Sequence, residues 1–441
     1  MRIFLFGFSV AFFLGAITIG SFLFAWKFQS DDFAYIFSRQ EAQTQPQKTR
    51  EELIVEALER SSNIKGLYMT ADVANDSGAG ATRLRNHLIS LAEKTEINGM
   101  VIDVKEVCGA EYDEARLASL LAELQSKNIW PIARIVVFKD ASQIEAHPEW
   151  YLTRKTQKDF PDPCFRKRHL RAKSPDGEKP NVVFWEDQKG GYWLDPASEG
   201  AREYIVGIAK KMIDLGFPEL QFDYIRFPSD GDVEHALYPA WDKKIPKHLV
   251  MKSFFEYLNR VLKSYKPDII LSADLFGYVA SRTQDVGIGQ RLEDIGENFD
   301  YISFMVYPSH YYAGFFAEAD SLRGLPAVRY TAREARMHPD VVVSRSLLYA
   351  RDFFDGRATG TSTVATSSVA TSTALLNRPR SGVRLRPWLE DFFHEEDKAA
   401  GRPSGAEKIR LQIDAAEWVE KHGWLLWNAA NLYTEAALRK E

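Results

Sequence analysis

Two aspartates, Asp223 and Asp274, stand where this sequence could do chemistry. Each closes an apolar run of strand-forming residues, Leu220-Gln-Phe-Asp223 and Leu271-Ser-Ala-Asp274, shortly before a turn former, Pro228 or Gly277. Two carboxylates flanking one bond suit the cleavage of an acetal, where one stays ionised as nucleophile or base and the other holds a proton to deliver. A cation such as Arg134 beside the first would favour its charged form. Burial of the second among Phe276, Tyr278 and tryptophans would favour its neutral form. A separation of roughly 5–5.5 Å would predict retention of anomeric configuration and roughly 6.5–9.5 Å inversion.

Elements that could hold such a pair follow from the pattern. Eight apolar β-type runs occur: Lys65–Asp72, Gly99–Glu106, Trp130–Phe138, Leu220–Phe227, Ile269–Phe276, Tyr301–Tyr307, Arg384–Leu389 and Gly423–Asn428. Helix-period segments separate most of them, among them Ala81–Lys94, Glu114–Lys127, Ala201–Leu215 (with Ser198 as a cap) and Leu249–Tyr265. Strands alternating with helices predict a parallel sheet, and eight such units predict an α/β fold closed into a (β/α)8 TIM barrel. A doubly wound open sheet is the alternative, but it would scatter the acids instead of placing them on one rim.

Side chains alternate along a barrel strand, so parity sorts which residues share the interior. It groups Asp103, Lys105, Arg134, Asp223, Asp274 and Tyr307 in one pocket, with Glu106 just beyond. Charges inside a barrel need partners, so Asp103 with Lys105 or Arg134 also reads as a satisfied structural layer. Glu106, Glu390 and Asp391 compete with Asp274 as proton donor. Aromatics near strand ends, Tyr68, Tyr224, Phe276, Tyr307, Tyr311, Tyr312, Trp388, Trp424 and Trp427, offer faces on which sugar rings pack. Parity assigns Tyr224 and Trp424 to the core. Tyr307 with nearby His310, and Trp427-Asn428, are the better subsite candidates, and Arg226 is a second source of positive charge. No metal site is expected, since the nine histidines lack HxH or HxxxH spacing and there is no CxxC.

The remainder of the 441 residues frames this domain. A net charge of −5 gives no reason to expect nucleic acid, and a 45% hydrophobic fraction with ten tryptophans suffices for a large core. Ile3–Trp26 runs without a charge, long enough to span a bilayer as an N-terminal transmembrane helix, and it exceeds a usual signal-peptide core. We therefore expect a membrane anchor or signal over 1–28, a stalk over 29–62, and an extracytoplasmic barrel over 63–435, secreted should the segment be cleaved. Cys108 and Cys164, the only cysteines, could pair in an exported protein or stay independent thiols. Two segments interrupt the alternation. One is a long insertion after the third strand, Asp140–Gly191, with a hairpin turned at Gly190-Gly191 and eight Lys/Arg against two Asp between Arg154 and Lys173. This stretch reads as a solvated loop or as a lid favouring anionic or polar polymers. The other is a Ser/Thr-rich insert within 356–380, expected to be a disordered loop before the seventh strand.

Together KGLYMTADVA (65–74), GMVIDVKE (99–106), WPIARIVVFKD (130–140), WLDPASEGAREYI (193–205), LQFDYIRFPSDG (220–231), SADLFGY (272–278) and ISFMVYPSHY (302–311) resemble the glycoside hydrolase-like domain of the DUF4015 family. The resemblance implies a TIM barrel related to retaining glycosidases of the α-amylase-like kind, with Asp223 at the nucleophile's position and Asp274 at the acid's. One departure is Gln221, where α-amylases keep an Arg two residues before the nucleophile; the positive charge must come from elsewhere, Arg134 or Arg226. Residues and resemblance together predict a glycoside hydrolase acting on an extracytoplasmic polysaccharide without cofactor. The alternatives are a catalytically silent glycan-binding barrel and a metal-dependent hydrolase using Asp103, Asp223 and Asp274.

Overall fold

The computed structural model describes residues 48–110, 112–155, 183–357, 382–392, 394–399 and 401–440. The apolar run Ile3–Trp26, most of the expected stalk, most of the basic stretch after Arg154, Cys164 and nearly all of the Ser/Thr-rich insert lie outside these residues. Among the described residues no helix is long and apolar enough to cross a membrane.

Eight parallel strands close into a barrel: β1 (Ile64–Met69), β2 (Gly99–Glu106), β3 (Trp130–Val136), β4 (Glu219–Asp223), β5 (Ile270–Phe276), β6 (Tyr301–Met305), β7 (Trp388–Glu390) and β8 (Gly423–Trp427). Each pairs with the next, and β8 pairs back onto β1 with Ile64 opposite Gly423, so the sheet has no open edge. Around it lie α1 (Ala79–Lys94), α2 (Glu114–Ser126), α3 (Glu199–Asp214), α4 (Lys247–Tyr265), the single turn α5 (Leu292–Ile295), α6 (Pro339–Phe354) and α7 (Gly405–Val419). The start of α3 is fixed as its sequence suggests: the Ser198 side chain accepts a hydrogen bond from the Ala201 amide.

Alternation splits the core in two. Outward residues of the strands pack with the helices, as Met100, Ile102, Ala133, Ile135, Leu220 and Phe222 do. Inward residues fill the barrel itself with Ile64, Val101, Trp130, Ile132, Ile270, Tyr301 and Leu425. Space inside is tight enough to require glycine: a Cβ on Gly99 would lie 2.4 Å from the Ile64 Cγ2.

The N-terminal end of the barrel is sealed by a buried ion pair. Arg386 Nη1 lies 2.7 Å from Glu219 Oε1 with both side chains fully buried. Its Nη2 donates to the Ser61 carbonyl at 2.7 Å, and its central carbon lies 3.7 Å from the Tyr301 ring centroid.

Two loops depart from the expected alternation. The described part of the insertion after β3 pairs Thr153–Arg154 with Val183–Phe184, while Glu186 bridges Tyr192 around the turn that carries Gly190. A further excursion, which the sequence pattern did not announce, follows β6: a hairpin, Phe315–Ala317 with Val328–Tyr330, precedes α6.

Candidate active site

Every barrel strand, or the residues just past its C-terminal end, contributes a side chain to one cluster: Tyr68, Asp103, Arg134, Asp223, Asp274, Tyr307, Trp388 and Trp427 in strand order. Arg134 is its centre. Nη1 donates to Asp103 Oδ1 at 2.5 Å, Nη2 to Asp223 Oδ2 at 2.5 Å, and Nε lies 3.8 Å from Asp274 Oδ2. One guanidinium thus faces three carboxylates. The space between Asp103, Asp223 and Asp274, the trio a metal-dependent reading would require, holds this organic cation.

The three acids have different surroundings. Asp103 also accepts from the Tyr68 hydroxyl and is 1% exposed. Burial raises its carboxyl, against the pull of Arg134 and the Tyr68 hydrogen bond. Asp223 receives the Tyr224 amide on its other oxygen, Oδ1, at 2.5 Å, and it lines a cavity of about 390 Å³. Asp274 also lines that cavity; Oδ1 accepts the Trp388 indole N–H at 2.8 Å, while Oδ2 has no hydrogen-bond partner. Burial, reinforced by the neighbouring Asp223 charge, lifts the Asp274 carboxyl well above the usual carboxylate range, although Arg134 and Trp388 oppose it. The cluster therefore contains an ion-paired carboxylate and an acid whose carboxyl is raised by burial, both lining the same cavity. Burial alone would lower the Arg134 guanidinium, but the Asp103 and Asp223 charges outweigh it and hold Arg134 firmly cationic.

Aromatic rings wall the cavity. Tyr307 stacks on Trp427, with centroids 5.7 Å apart and planes 18° from parallel, and Tyr68 meets Trp388 edge-on at 6.4 Å. Phe276, Tyr278, Tyr311 and Tyr312 line the same space. Gly277 is needed there: a Cβ would stand 2.5 Å from the Met305 carbonyl oxygen and 2.8 Å from the Tyr311 hydroxyl.

Of the residues expected at the site, Asp223, Asp274, Arg134, Arg226, Tyr307, His310 and Trp427 line the cavity, and Asp103 stands behind Arg134. Burial lowers the His310 imidazole, with Glu390 opposing. Glu106 sits at the flank, accepting weakly from the Ala71 amide at 3.4 Å. Burial and then the Asp103 charge push its carboxyl up to about 7.

Three expectations need correction. Lys105 does not share the pocket. The β2–β3 register shifts between Asp103 and Lys105, and this irregularity reverses the parity. The ammonium instead donates to the Val136 carbonyl at 2.6 Å and lies 2.8 Å from Asp140 Oδ2, fully buried. Asn428 serves its own turn: Nδ2 donates to the Asp391 carbonyl and Oδ1 accepts the Ala430 amide. Tyr224 is a cavity residue, not core. The strand ends at Asp223 and Tyr224 takes φ 52°, which breaks the alternation and brings both Tyr224 and Arg226 onto the wall.

The competing acids are engaged elsewhere. Glu390 is fully buried against Lys408 at 2.5 Å and accepts from the Ser309 hydroxyl at 2.5 Å. Asp391 accepts from the Thr434 amide and hydroxyl. Two partners escaped the sequence reading of the site: Trp388, whose indole holds Asp274, and Tyr68, whose hydroxyl holds Asp103. The sequence pattern marks both only as rings near strand ends.

A pair of acids at the C-terminal rim of a closed barrel, in an aromatic cleft, occupies the face on which barrel enzymes carry their catalytic groups. The chain belongs to the DUF4015 family, described as "Putative glycosyl hydrolase domain", with residues 66–433 matched. Among solved structures it is similar to a hypothetical protein from Ruminiclostridium thermocellum ATCC 27405, at 26% identity and a TM-score of 0.35 over 47% of this chain and 96% of that one. It is also similar to Amy13B of Eubacterium rectale, at 11% identity and a TM-score of 0.46 over 83% and 66% of the two chains. A third similarity is to the spore cortex-lytic enzyme SleL of Bacillus megaterium QM B1551, at 10% identity and a TM-score of 0.42 over 85% and 72%. No curated protein matches the chain.

Proposed function

We propose that this barrel hydrolyses glycosidic bonds of a polysaccharide, with Asp223 as nucleophile or base and Asp274 as the acid. The observation that carries the reading is the asymmetry of the pair: Asp223 is ion-paired to Arg134, whereas Asp274 is buried, has its carboxyl pushed well above the usual carboxylate range and keeps one oxygen without a hydrogen-bond partner. Arg134 supplies the positive charge that Gln221 does not. Gln221 points its amide at the Ser303 hydroxyl, 3.2 Å away, inside the barrel.

In this mechanism the sugar ring packs against the aromatic wall and the scissile oxygen meets Asp274, which protonates the leaving group. Asp223 either attacks the anomeric carbon as the bond to the leaving group breaks, after which a water that gives its proton to Asp274 cleaves the glycosyl-aspartate, or takes the proton of a water that attacks that carbon directly. Arg134 pairs with Asp223 and orients it, and Tyr307 closes the apolar side of the site.

We place the reaction outside the cytoplasm. The uncharged run Ile3–Trp26 supports this.

The test is reducing-end release by the purified protein on a panel of polysaccharides, beside Asp223→Asn. Turnover in the native chain falling by roughly three orders of magnitude or more in the variant supports the assignment. Equal turnover in both would remove Asp223 from the chemistry. No turnover with retained glycan binding would leave a binding barrel. Proton NMR of the first-formed anomer then decides between retention and inversion.

A further inference from the structure

Arg226 is a buried cation without a carboxylate of its own. Its side chain lies in the loop after β4, 5% exposed, and faces the cavity. Nη1 donates to the Phe227 carbonyl at 3.0 Å and the Ser229 hydroxyl at 3.2 Å. Aromatic rings hold the rest of the group, with Phe276 at 4.4 Å, Trp193 at 4.9 Å and Tyr224 at 5.0 Å from its central carbon. Nε and Nη2 donate to no described group, yet neither belongs to the sealed, unsatisfied atoms of the interior; that edge is open to the cavity.

A guanidinium so placed loses hydration without gaining an ion pair, and burial accordingly lowers its pKa. The other buried arginines of the barrel interior do not share this condition: Arg134 and Arg386 both meet carboxylates at 2.7 Å or closer.

A second cation joins it. Lys189 lines the same cavity from the turn of the insertion after β3. That turn is fixed: Asp187 Oδ1 accepts the amides of Lys189 and Gly191, and Asp230 Oδ1 accepts the amide of Gln188 at 3.1 Å. The Asp230 contact ties the Lys189 turn to the loop that carries Arg226. Nearby negative charge is limited. Asp223 is matched by Arg134 and Asp187 by Lys139, the Asp274 carboxyl is pushed well above the usual carboxylate range, and Asp230 sits exposed at the edge.

We infer that Arg226, assisted by Lys189, receives a carboxylate on the substrate, so that the polysaccharide bound here carries acidic, uronate-type sugars. The planar edge of an arginine matches the two oxygens of a carboxylate in a bidentate fork, which an ammonium cannot reproduce. The aromatic box fixes that plane before the ligand arrives, which limits the ordering cost on binding.

This inference rests on the reading of the cleft as a sugar site, but its test does not depend on turnover. Titration calorimetry on the Asp223→Asn protein compares uronate oligosaccharides with the same oligosaccharides after reduction of their carboxyl groups to alcohols. Binding should weaken roughly ten- to a hundredfold on reduction, the range for one charge-assisted contact. Arg226→Lys, which keeps the charge but not the fork, should lose most of that preference. Lys189→Gln, an exposed change that leaves the fold intact, should lose a smaller part.

Equal binding of acidic and reduced chains overturns the proposal while leaving hydrolysis standing. Preference for sulfated over uronate chains of equal charge overturns the assignment to a carboxylate. Tight, carboxyl-dependent binding without hydrolysis by the native chain supports the subsite and sinks the hydrolase reading instead.

Discussion

Among the described residues, two ion-paired guanidiniums lie inside this barrel, one at each end, and they are treated in opposite ways. At the N-terminal end Arg386 meets one carboxylate, Glu219, and each of its nitrogens finds an acceptor, the others being the carbonyls of Ser61 and His422. At the C-terminal end Arg134 is shared among Asp103, Asp223 and Asp274, and one oxygen of Asp274 is left without a hydrogen-bond partner. The first arrangement is balanced and sealed, as a structural ion pair must be to offset its desolvation. The second has more acid than base and opens on a cavity. Burial, reinforced by the excess negative charge, pushes the Asp274 carboxyl well above the usual range, which suits a proton donor and serves no purpose in a structural brace.

The strongest way to break this comparison is to replace each arginine with Met. Arg386→Met strands Glu219 as a buried, uncompensated charge and should cost about 3–5 kcal/mol of stability by urea denaturation, with turnover per folded molecule preserved. Arg134→Met should instead cost roughly a hundredfold or more in turnover, as removal of a charge that orients and stabilises the reacting carboxylate does. If Arg386→Met abolishes turnover of the folded fraction, or Arg134→Met costs only stability, the division between the two ends is wrong.

Asp274→Asn sharpens the same contrast through pH. The folded protein holds the Asp274 proton to higher pH than the unfolded chain does, so its stabilising contribution is complete below about pH 4, the unfolded value. That contribution is lost as pH rises towards the folded pKa. The amide cannot ionise, so the variant should gain stability over the native chain increasingly from about pH 4 upward, while its turnover collapses. Thermal melts in matched buffers give the first quantity and reducing-end assays the second. A variant no more stable at pH 8 than at pH 4, relative to the native chain, would mean that Asp274 ionises normally.

Glu106 provides a milder version of that experiment at the flank of the cluster. Burial and Asp103 raise its carboxyl to about 7, so the native chain loses stability between the unfolded value near pH 4.3 and pH 7, and then levels off. Glu106→Gln should match the native melting temperature near pH 4, exceed it by a few degrees at pH 8, and leave turnover nearly unchanged. A large loss of turnover would make Glu106 part of the acid–base machinery, a role the sequence alone also allowed.

How much of this was readable from sequence depends on whether the signal was local. Strand positions were, because each strand carries its own apolar run between turn formers. Asp223, Asp274 and Arg134 followed from parity on those strands. Parity failed wherever the backbone ceased to be a regular strand: at the register shift after Asp103, which turns Lys105 outward onto Asp140, and at Tyr224, whose positive φ puts it on the cavity wall. Partners distant in sequence were invisible. Trp388 lies 114 residues from the Asp274 it holds, and Tyr68 lies 35 from Asp103. The excursion after β6 was missed because its hairpin strands, three residues each, are too short to show a period.

The smallest expected effect lies at the cavity mouth. Tyr312 is 76% exposed although it is a large ring, and it stacks on His310 with centroids 5.7 Å apart. A ring stacked on its neighbour beside the cavity and left open to water contributes little to folding, since surface substitutions of this kind stay within about 0.5 kcal/mol. Its apolar face can serve a sugar unit beyond the one being cleaved. Tyr312→Ala should therefore leave the melting temperature and the turnover of the shortest cleavable oligosaccharide unchanged, while raising KM severalfold for longer chains. The separation is diagnostic because a subsite remote from the bond affects only substrates long enough to reach it. Equal losses on short and long substrates would move Tyr312 from the mouth into the reacting site. No loss on either would leave the exposed ring an ordinary surface residue, of the sort most proteins carry.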